Sequence, residues 1–196
     1  MTGELEPGQV YSAPRLGVQF GVSATPVREA MLDLLKDGLV RTVRNKGFEV
    51  LAPSPAALHD ILEVRLLLEV PTIRRLADRG VRDADIAALM PLAEATVRFA
   101  EALDVVGHVA ADLAFHVALL DLWGNEEVTE AVRALRSRSR LAGLWSSDNH
   151  DVMTESANEH IALVELLSQR DGEGAAQLME SHIRRAASLW SKTTSA

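Results

Sequence analysis

The sequence contains no cysteine. That excludes disulfides, thiolate metal sites and a cysteine nucleophile, and it suits a reducing cytoplasm. It also lacks any uncharged apolar run approaching the roughly 18–20 residues that a membrane span needs. Residues 1–8 carry Glu4 and Glu6 and no apolar stretch, so no signal peptide is expected. Positive charge is in deficit: 20 Lys and Arg stand against 28 Asp and Glu, a net −8. Taken whole, that argues against nucleic acid. The deficit is not spread evenly, however. Residues 1–52 hold six Lys and Arg and six Asp and Glu, which leaves 14 against 22 in the remainder and places all the net charge there. A neutral segment with clustered Arg and Lys can still meet phosphate. The other bulk properties, 196 residues with 47% hydrophobic and 24% charged, are those of one ordinary globular domain or two small ones.

Within the neutral segment, residues 10–20 form a weak helix candidate, interrupted by Pro14 and Gly17, and 21–23 form a turn. Thr25-Pro26 reads as an N-cap followed by proline at the first helical position. The helix 26–37 would carry Val27, Ala30, Met31, Leu34 and Leu35 inward, and Gly38 would end it. Residues 39–43 and 48–51 read as two strands around Arg44-Asn45-Lys46-Gly47, a turn with a basic tip. Helix, turn, helix and basic hairpin make a winged helix-turn-helix, whose second helix enters the major groove. Arg28 would then reach a guanine edge or a phosphate. Ser23 and Thr25, at the phosphate-favouring start of that helix, are further candidate DNA contacts. Arg44 and Lys46 at the wing tip would meet backbone or minor groove. The alternative is a helix and hairpin packed for stability alone, and the pattern does not separate the two.

Ala52-Pro53-Ser54-Pro55 marks a boundary, since the two prolines stop a strand and cannot continue a helix. Two domains are expected, 1–52 and 53–196. The second reads as helical throughout, over 56–79, 83–102, 105–123, 126–146, 152–170 and 173–191, with Pro71 and Pro91 expected to kink their helices. Six helices with short connections argue an antiparallel all-α bundle.

The third of these helices places Asp112 and His116 one turn apart on the stripe that also carries Val109, Leu113, Leu120 and Trp123. A buried carboxylate and imidazole must be satisfied. One such pair reads as a structural hydrogen bond as readily as a site. Two later helices shift the balance. His160 shares a face with Leu163, Val164 and Leu167, and His182 with Leu178, Met179, Ala186 and Leu189. Three helices each turning a metal-capable side chain inward point to one divalent ion, and imidazole with carboxylate suits Zn, Ni, Mn or Fe better than Ca. The alternative is three separately satisfied core histidines. Arg65 and Glu69, four apart on the inward side of their helix, read as an internal ion pair, or Arg65 as a clamp for a carboxylate. Arg133, Arg136, Arg138 and Arg140 read as a solvated basic stripe, with Arg138 or Arg140 reaching the interior as the second reading. His59, His108 and His150 read as surface or boundary residues, His108 also as an outer partner to the Asp112 helix.

The run Phe20-Gly-Val-Ser-Ala-Thr-Pro-Val-Arg-Glu-Ala-Met31, then Leu35-Lys-Asp-Gly-Leu-Val40 and Asn45-Lys-Gly47, resembles the DNA-binding domain of the GntR family of bacterial transcription regulators. Two departures stand out. Ala24 occupies a place where the family usually has a DNA-contacting Arg. The family also has a helix ahead of the turn matched here by Gly3-Glu-Leu-Glu-Pro-Gly8, so that first helix is expected to be missing. The second part resembles the FCD ligand-binding domain of the FadR subfamily, on Asp112-x-x-x-His116, Gly124-Asn125, Glu159-His160, Asp171 with Ala175, and Met179-x-x-His182. This resemblance implies that Asp112, His116, His160 and His182 hold a divalent ion, with Zn, Ni or Mn foremost, and it favours Arg65 as part of an effector pocket. The function it implies is a cytoplasmic repressor whose operator binding responds to a small organic acid. Paired operator half-sites call for a homodimer. A metal-dependent enzyme acting on a small organic acid and a metal sensor are the alternatives.

Overall fold

The structure, a computed structural model, describes residues 5–143 and 150–191, with side chains for all of these except 140–143, 150 and 188–191. The end of the expected helix 126–146, the break around 146–151, and the side chains of Arg140, His150 and Leu189 therefore lie outside the described residues. So do Gly3 and Glu4. The chain divides into two compact units, Met1–Ser54 and Pro55–Ala196.

The first unit runs β1 (Val10–Tyr11), α1 (Ala13–Phe20), α2 (Ala24–Lys36), β2 (Val40–Val43) and β3 (Gly47–Val50). Its sheet has the order β1-β3-β2, antiparallel throughout, with Tyr11 opposite Phe48 and Arg41 opposite Glu49. Residues 10 and 11 are thus a strand rather than the start of a helix, too short to show an alternating pattern. Helix α1 begins after Ser12, whose hydroxyl accepts from the Arg15 amide, and Pro14 falls in the first turn, where its missing N–H costs nothing. Gly17 does not break the helix. A Cβ there would lie 2.8 Å from the Val22 carbonyl oxygen, so glycine lets the turn fold against α1. Helix α2 starts two residues earlier than the Thr25-Pro26 signal implied: its N-cap is Ser23, and Pro26 stands third in the first turn. Val27 and Met31 point into the core with Ala13, Leu16, Val40, Phe48 and Val50, while Ala30, expected inward, is exposed. At the hairpin, Gly47 has φ 129° and a Cβ would fall 2.2 Å from the Tyr11 carbonyl oxygen, so only glycine lets β1 join this sheet.

The second unit is six helices: α3 (Pro55–Arg79), α4 (Asp83–Glu101), α5 (Val105–Asp121), α6 (Glu126–Gly143), α7 (His150–Gln169) and α8 (Gly172–Ser191). The breaks between them carry their own stop and start chemistry. Gly80 and Gly124 adopt the left-handed conformation, Asp104 Oδ1 caps α5 through the Gly107 amide at 2.8 Å, and Asp171 Oδ1 caps α8 through the Gly174 amide at 2.8 Å. Helix α3 packs along α8, α4 along α5 and α7, and α6 against α5 and α3. The core between them includes Ile73, Leu76, Ala93, Phe115, Leu119, Val164, Leu167, Met179 and Ile183. Among the described residues no helix is long and apolar enough to cross a membrane.

Candidate metal centre

Helix α5 brings Asp112 and His116 inward one turn apart. Helices α7 and α8 bring His160 and His182 to the same point, and one ligand atom from each of the four lies within 4.8 Å of all the others. The three histidines are buried and Asp112 is half-buried. His116 Nε2 stands 3.1 Å from His160 Nε2 and 3.1 Å from His182 Nε2. Asp112 Oδ1 lies 3.6 Å from the first of these nitrogens and 3.4 Å from the second. With metal–nitrogen bonds of about 2.0–2.1 Å, two ligands on one ion lie about 3.0 Å apart in an octahedron and about 3.4 Å apart in a tetrahedron. The four atoms meet that spacing.

The outer hydrogen bonds fix where the protons are. Thr96 on α4 gives its one hydroxyl proton to the Ala93 carbonyl at 2.7 Å. Its 2.9 Å bond to His160 Nδ1 must then be donated by the imidazole. His182 Nδ1 lies 2.9 Å from Glu159 Oε2. Burial pushes the Glu159 carboxyl up, but the His182 bond and charge, with Arg185, pull it further down, so it is ionised and can only accept. Both rings therefore carry hydrogen on Nδ1 and, while neutral, direct a bare Nε2 lone pair at His116. Burial holds His182 below its ordinary value, and burial with the charge of Arg136 holds His116 well below it, so both are neutral near pH 7. His116 Nε2 can donate to one neighbour at most, and its Nδ1 is buried without a hydrogen-bond partner. At least one 3.1 Å contact then sets lone pair against lone pair. A shared cation removes that conflict, and the donor set fits one.

Next to these four lies a second polar cluster. Glu69 on α3, 0% exposed, accepts from Arg65 Nε at 2.7 Å and from Arg136 Nε on α6 at 3.1 Å, with Arg136 Nη2 closer still. Arg136 Nη1 stands 3.5 Å from Asp112 Oδ2. Arg65 and Arg136 are each 3% exposed. Burial and the charge of Arg65 lower Arg136 to about 9, against the pull of Glu69, which leaves it charged at neutral pH. The internal Arg65–Glu69 pair is therefore present. The solvated-stripe reading of α6 needs correction: Arg133 pairs with Glu130 and Arg138 is half-buried, but Arg136 points into the core. The missed signal was the buried stripe Thr129, Val132, Arg136 and Ser139, at helical spacing. His108 is also buried, its Nδ1 3.1 Å from the Thr96 carbonyl, whereas His59 is exposed as expected. Nothing in sequence spacing marks Thr96, which acts through packing of α4 on α5 and α7.

In the first unit, Ser23, Thr25, Arg28, Arg44 and Lys46 are all exposed, the first three along the start of α2 and the last two at the hairpin tip. Arg41 is taken up by Glu49 across the hairpin, at 3.0 and 3.1 Å.

Residues 1–50 match the gntR family of bacterial regulatory proteins, and residues 60–185 match the FCD domain. The Nta operon transcriptional regulator of Aminobacter aminovorans is 31% identical over 187 residues, spanning 91% of this chain and 83% of that protein. The chain belongs to the GntR family. It is a transcription regulator with an FCD domain, and the relatives it matches are regulators rather than enzymes. The regulator is also 26% identical over 166 residues to the gluconate operon transcriptional repressor of Bacillus licheniformis, covering 78% of this chain and 68% of that one. Its fold is that of McbR/YncC of E. coli, with a TM-score of 0.83 at 23% identity over 98% of this chain and 92% of the other.

Proposed function

We propose that this regulator is an operator-binding repressor of the FadR subfamily, whose hold on DNA is set by a small carboxylate bound at a divalent ion in the helical unit. Asp112, His116, His160 and His182 would hold the ion, Zn, Ni or Mn. The observation that carries this reading is the convergence of bare Nε2 lone pairs and a carboxylate on one buried point. The ion would supply positive charge as an anchor for an anion. Arg65 and Arg136 against Glu69 and Asp112 are neutral together, so a divalent cation would leave the buried cluster at about +2, which calls for anionic company. Arg65 Nη2 is buried without a hydrogen-bond partner and is the donor best placed to receive a carboxylate. Arg138, half-buried on α6, is the second candidate contact.

The repressor assignment follows the printed function of the Bacillus licheniformis relative. Operator contacts are assigned to Ser23, Thr25, Arg28, Arg44 and Lys46. Two copies would present two such surfaces to paired half-sites in the cytoplasm, with the boundary between DNA-binding and effector domains at 52–53. Effector binding acts as a population shift, which requires different affinities for the DNA-competent and DNA-free arrangements. The test is fluorescence anisotropy of a selected operator fragment with metal-loaded and metal-free protein, titrated with short hydroxy, keto and dicarboxylic acids. Release is expected only when ion and acid are both present. Release by the ion alone would replace this reading with a metal sensor, and release by acid from metal-free protein would overturn the anchoring role.

A further inference from the structure

Glu159 is not among the four ligand candidates, yet it sits beside one of them in sequence and touches another in space. On α7, His160 turns toward the cluster. Glu159, its neighbour, reaches across to α8, where Oε2 accepts from His182 Nδ1 at 2.9 Å. The other oxygen of Glu159 is held by Arg185, at 3.1 Å from Nε and 2.9 Å from Nη2, and Arg185 is held in turn by Glu155. The carboxylate cannot rotate away without breaking two charged bonds. Thr96 does the same for His160 from α4, with its proton committed to the Ala93 carbonyl and its own carbonyl receiving His108. A histidine free to choose would populate both tautomers, and only the one with a bare Nε2 can ligate here.

We infer that Glu159 and Thr96 are positioning residues for the metal centre: they lock His182 and His160 as Nδ1–H tautomers, so that both Nε2 lone pairs are aimed before any ion arrives. This rests on the metal reading above. The two locks differ in strength. An ionised carboxylate accepts a stronger bond than a neutral hydroxyl and raises the electron density of the ring it holds. His116 has no such partner on Nδ1. The ligands are therefore graded, with His182 the firmest and His116 the loosest.

The first measurement is the tautomeric state in metal-free wild-type protein, from long-range ¹⁵N–¹H correlation of the imidazole rings. His182 and His160 are expected as Nδ1–H. A major Nε2–H population on either overturns the inference without any variant having to fold. The second is Zn²⁺ affinity by competition with a chromophoric chelator, for wild type, Glu159→Gln, Thr96→Val and Thr96→Ser. Outer-partner losses of this kind weaken metal binding roughly 10–100-fold. Glu159→Gln is expected toward the top of that range, because an amide can turn its NH₂ to Nδ1 and favour the wrong tautomer. Thr96→Val is expected toward the bottom, and Thr96→Ser close to wild type. Wild-type protein that takes up no zinc overturns the metal centre itself. Zinc on wild type with unchanged affinity in Glu159→Gln and Thr96→Val leaves the centre standing and overturns the positioning role. So does a loss of metal-free melting temperature in these variants with no loss of affinity, since that is what a purely structural role would give.

Discussion

Glu69→Gln is the substitution with the largest consequence that can be worked from the structure. The carboxylate is fully buried and serves two guanidiniums, Arg65 at 2.7 Å and Arg136 at 3.1 Å. The glutamine amide nearly matches it in shape, so packing is retained and the charge alone is lost. One buried pair broken by removing one partner costs about 3–5 kcal/mol, most of it from the charge left behind. Here two cations are left, with only Asp112 near Arg136 in compensation. In a chain of this size each kcal/mol shifts the melting temperature by about 2–4 °C, so a fall of about 6–20 °C is expected. All three tryptophans, Trp123, Trp145 and Trp190, belong to the second unit, so their fluorescence follows its unfolding separately from the first. A pH profile adds a second check. Burial raises the Glu69 carboxyl, but Arg136 and then Arg65 outweigh it, and the folded value lies below the ordinary 4.5. A depressed acid contributes stability above its unfolded value and loses it as pH falls through the folded one. Wild type should therefore lose stability in steps below pH 4.5 that are missing from Glu69→Gln. Replacing Arg65, Glu69 and Arg136 together with Met should cost less than Glu69→Gln alone, because no charge is stranded. A Glu69→Gln variant within 1 kcal/mol of wild type by urea unfolding, or a triple variant worse than the single one, would refute the assignment of this cluster as a mutually dependent buried set.

Other outcomes follow from the same geometry. Arg28→Ala should abolish operator retardation with the melting curve unchanged, a base-contacting Arg being worth about 1–3 kcal/mol; retained binding at unchanged salt would show that α2 does not read the operator. Chelation should lower the melting temperature of the second unit, by an amount equivalent to about 4 kcal/mol if the ion was present at a thousand times its Kd; His160→Ala should make the curve indifferent to chelator, and a chelator response surviving in that variant would move the ion elsewhere. His116 and His182 are held below the ordinary histidine value, so the unfolded chain takes up protons first as pH falls below about 6.5. Stability of the metal-free second unit should accordingly decline from pH 6.5 downward, and metal affinity should decline with it; a flat calorimetric profile between pH 7 and 5 would contradict neutral buried rings. Light scattering at micromolar concentration should report a dimer, and a monomer would count against reading paired half-sites.

What the sequence disclosed and what it hid divide along a physical line. Helical periodicity, proline pairs and helix-stopping glycines are local, and they located all six helices of the second unit to within a few residues. The Asp112–His116 spacing and the inward faces of His160 and His182 are also local, and the structure brings these four together. The two-residue strand β1 escaped because its partner is 37 or more residues away along the chain, at Phe48 and Glu49. Ser23 displaced Thr25 as N-cap because both residues, with a proline following, satisfy the same local rule. Arg136 escaped for a different reason. A run of alternating arginines looks like a solvated face, and only the buried carboxylate of Glu69 on α3 makes one of them an interior residue. Thr96 carries no signal of its own, since its role exists only where α4 meets His160.

The way the cluster is distributed over the helices bears on how a signal could leave it. The four ligand candidates sit on α5, α7 and α8. Thr96 adds α4, and the Arg65–Glu69–Arg136 set adds α3 and α6 through the 3.5 Å approach of Arg136 to Asp112. Every helix of the second unit thus contributes a polar group within one hydrogen-bonded or ion-paired step of the proposed ion. Asp112 is the joint: one oxygen faces His116 and His160, the other faces Arg136. A cation drawing on the first oxygen weakens its hold on the second, and Arg136 then leans further on Glu69 or on an incoming anion. An entering carboxylate and Asp112 are in this sense competitors for Arg136. The competition converts occupancy at the ion into a change of pairing between α5 and α6, which a purely apolar core at the same place could not do, because apolar contacts have no second partner to exchange with.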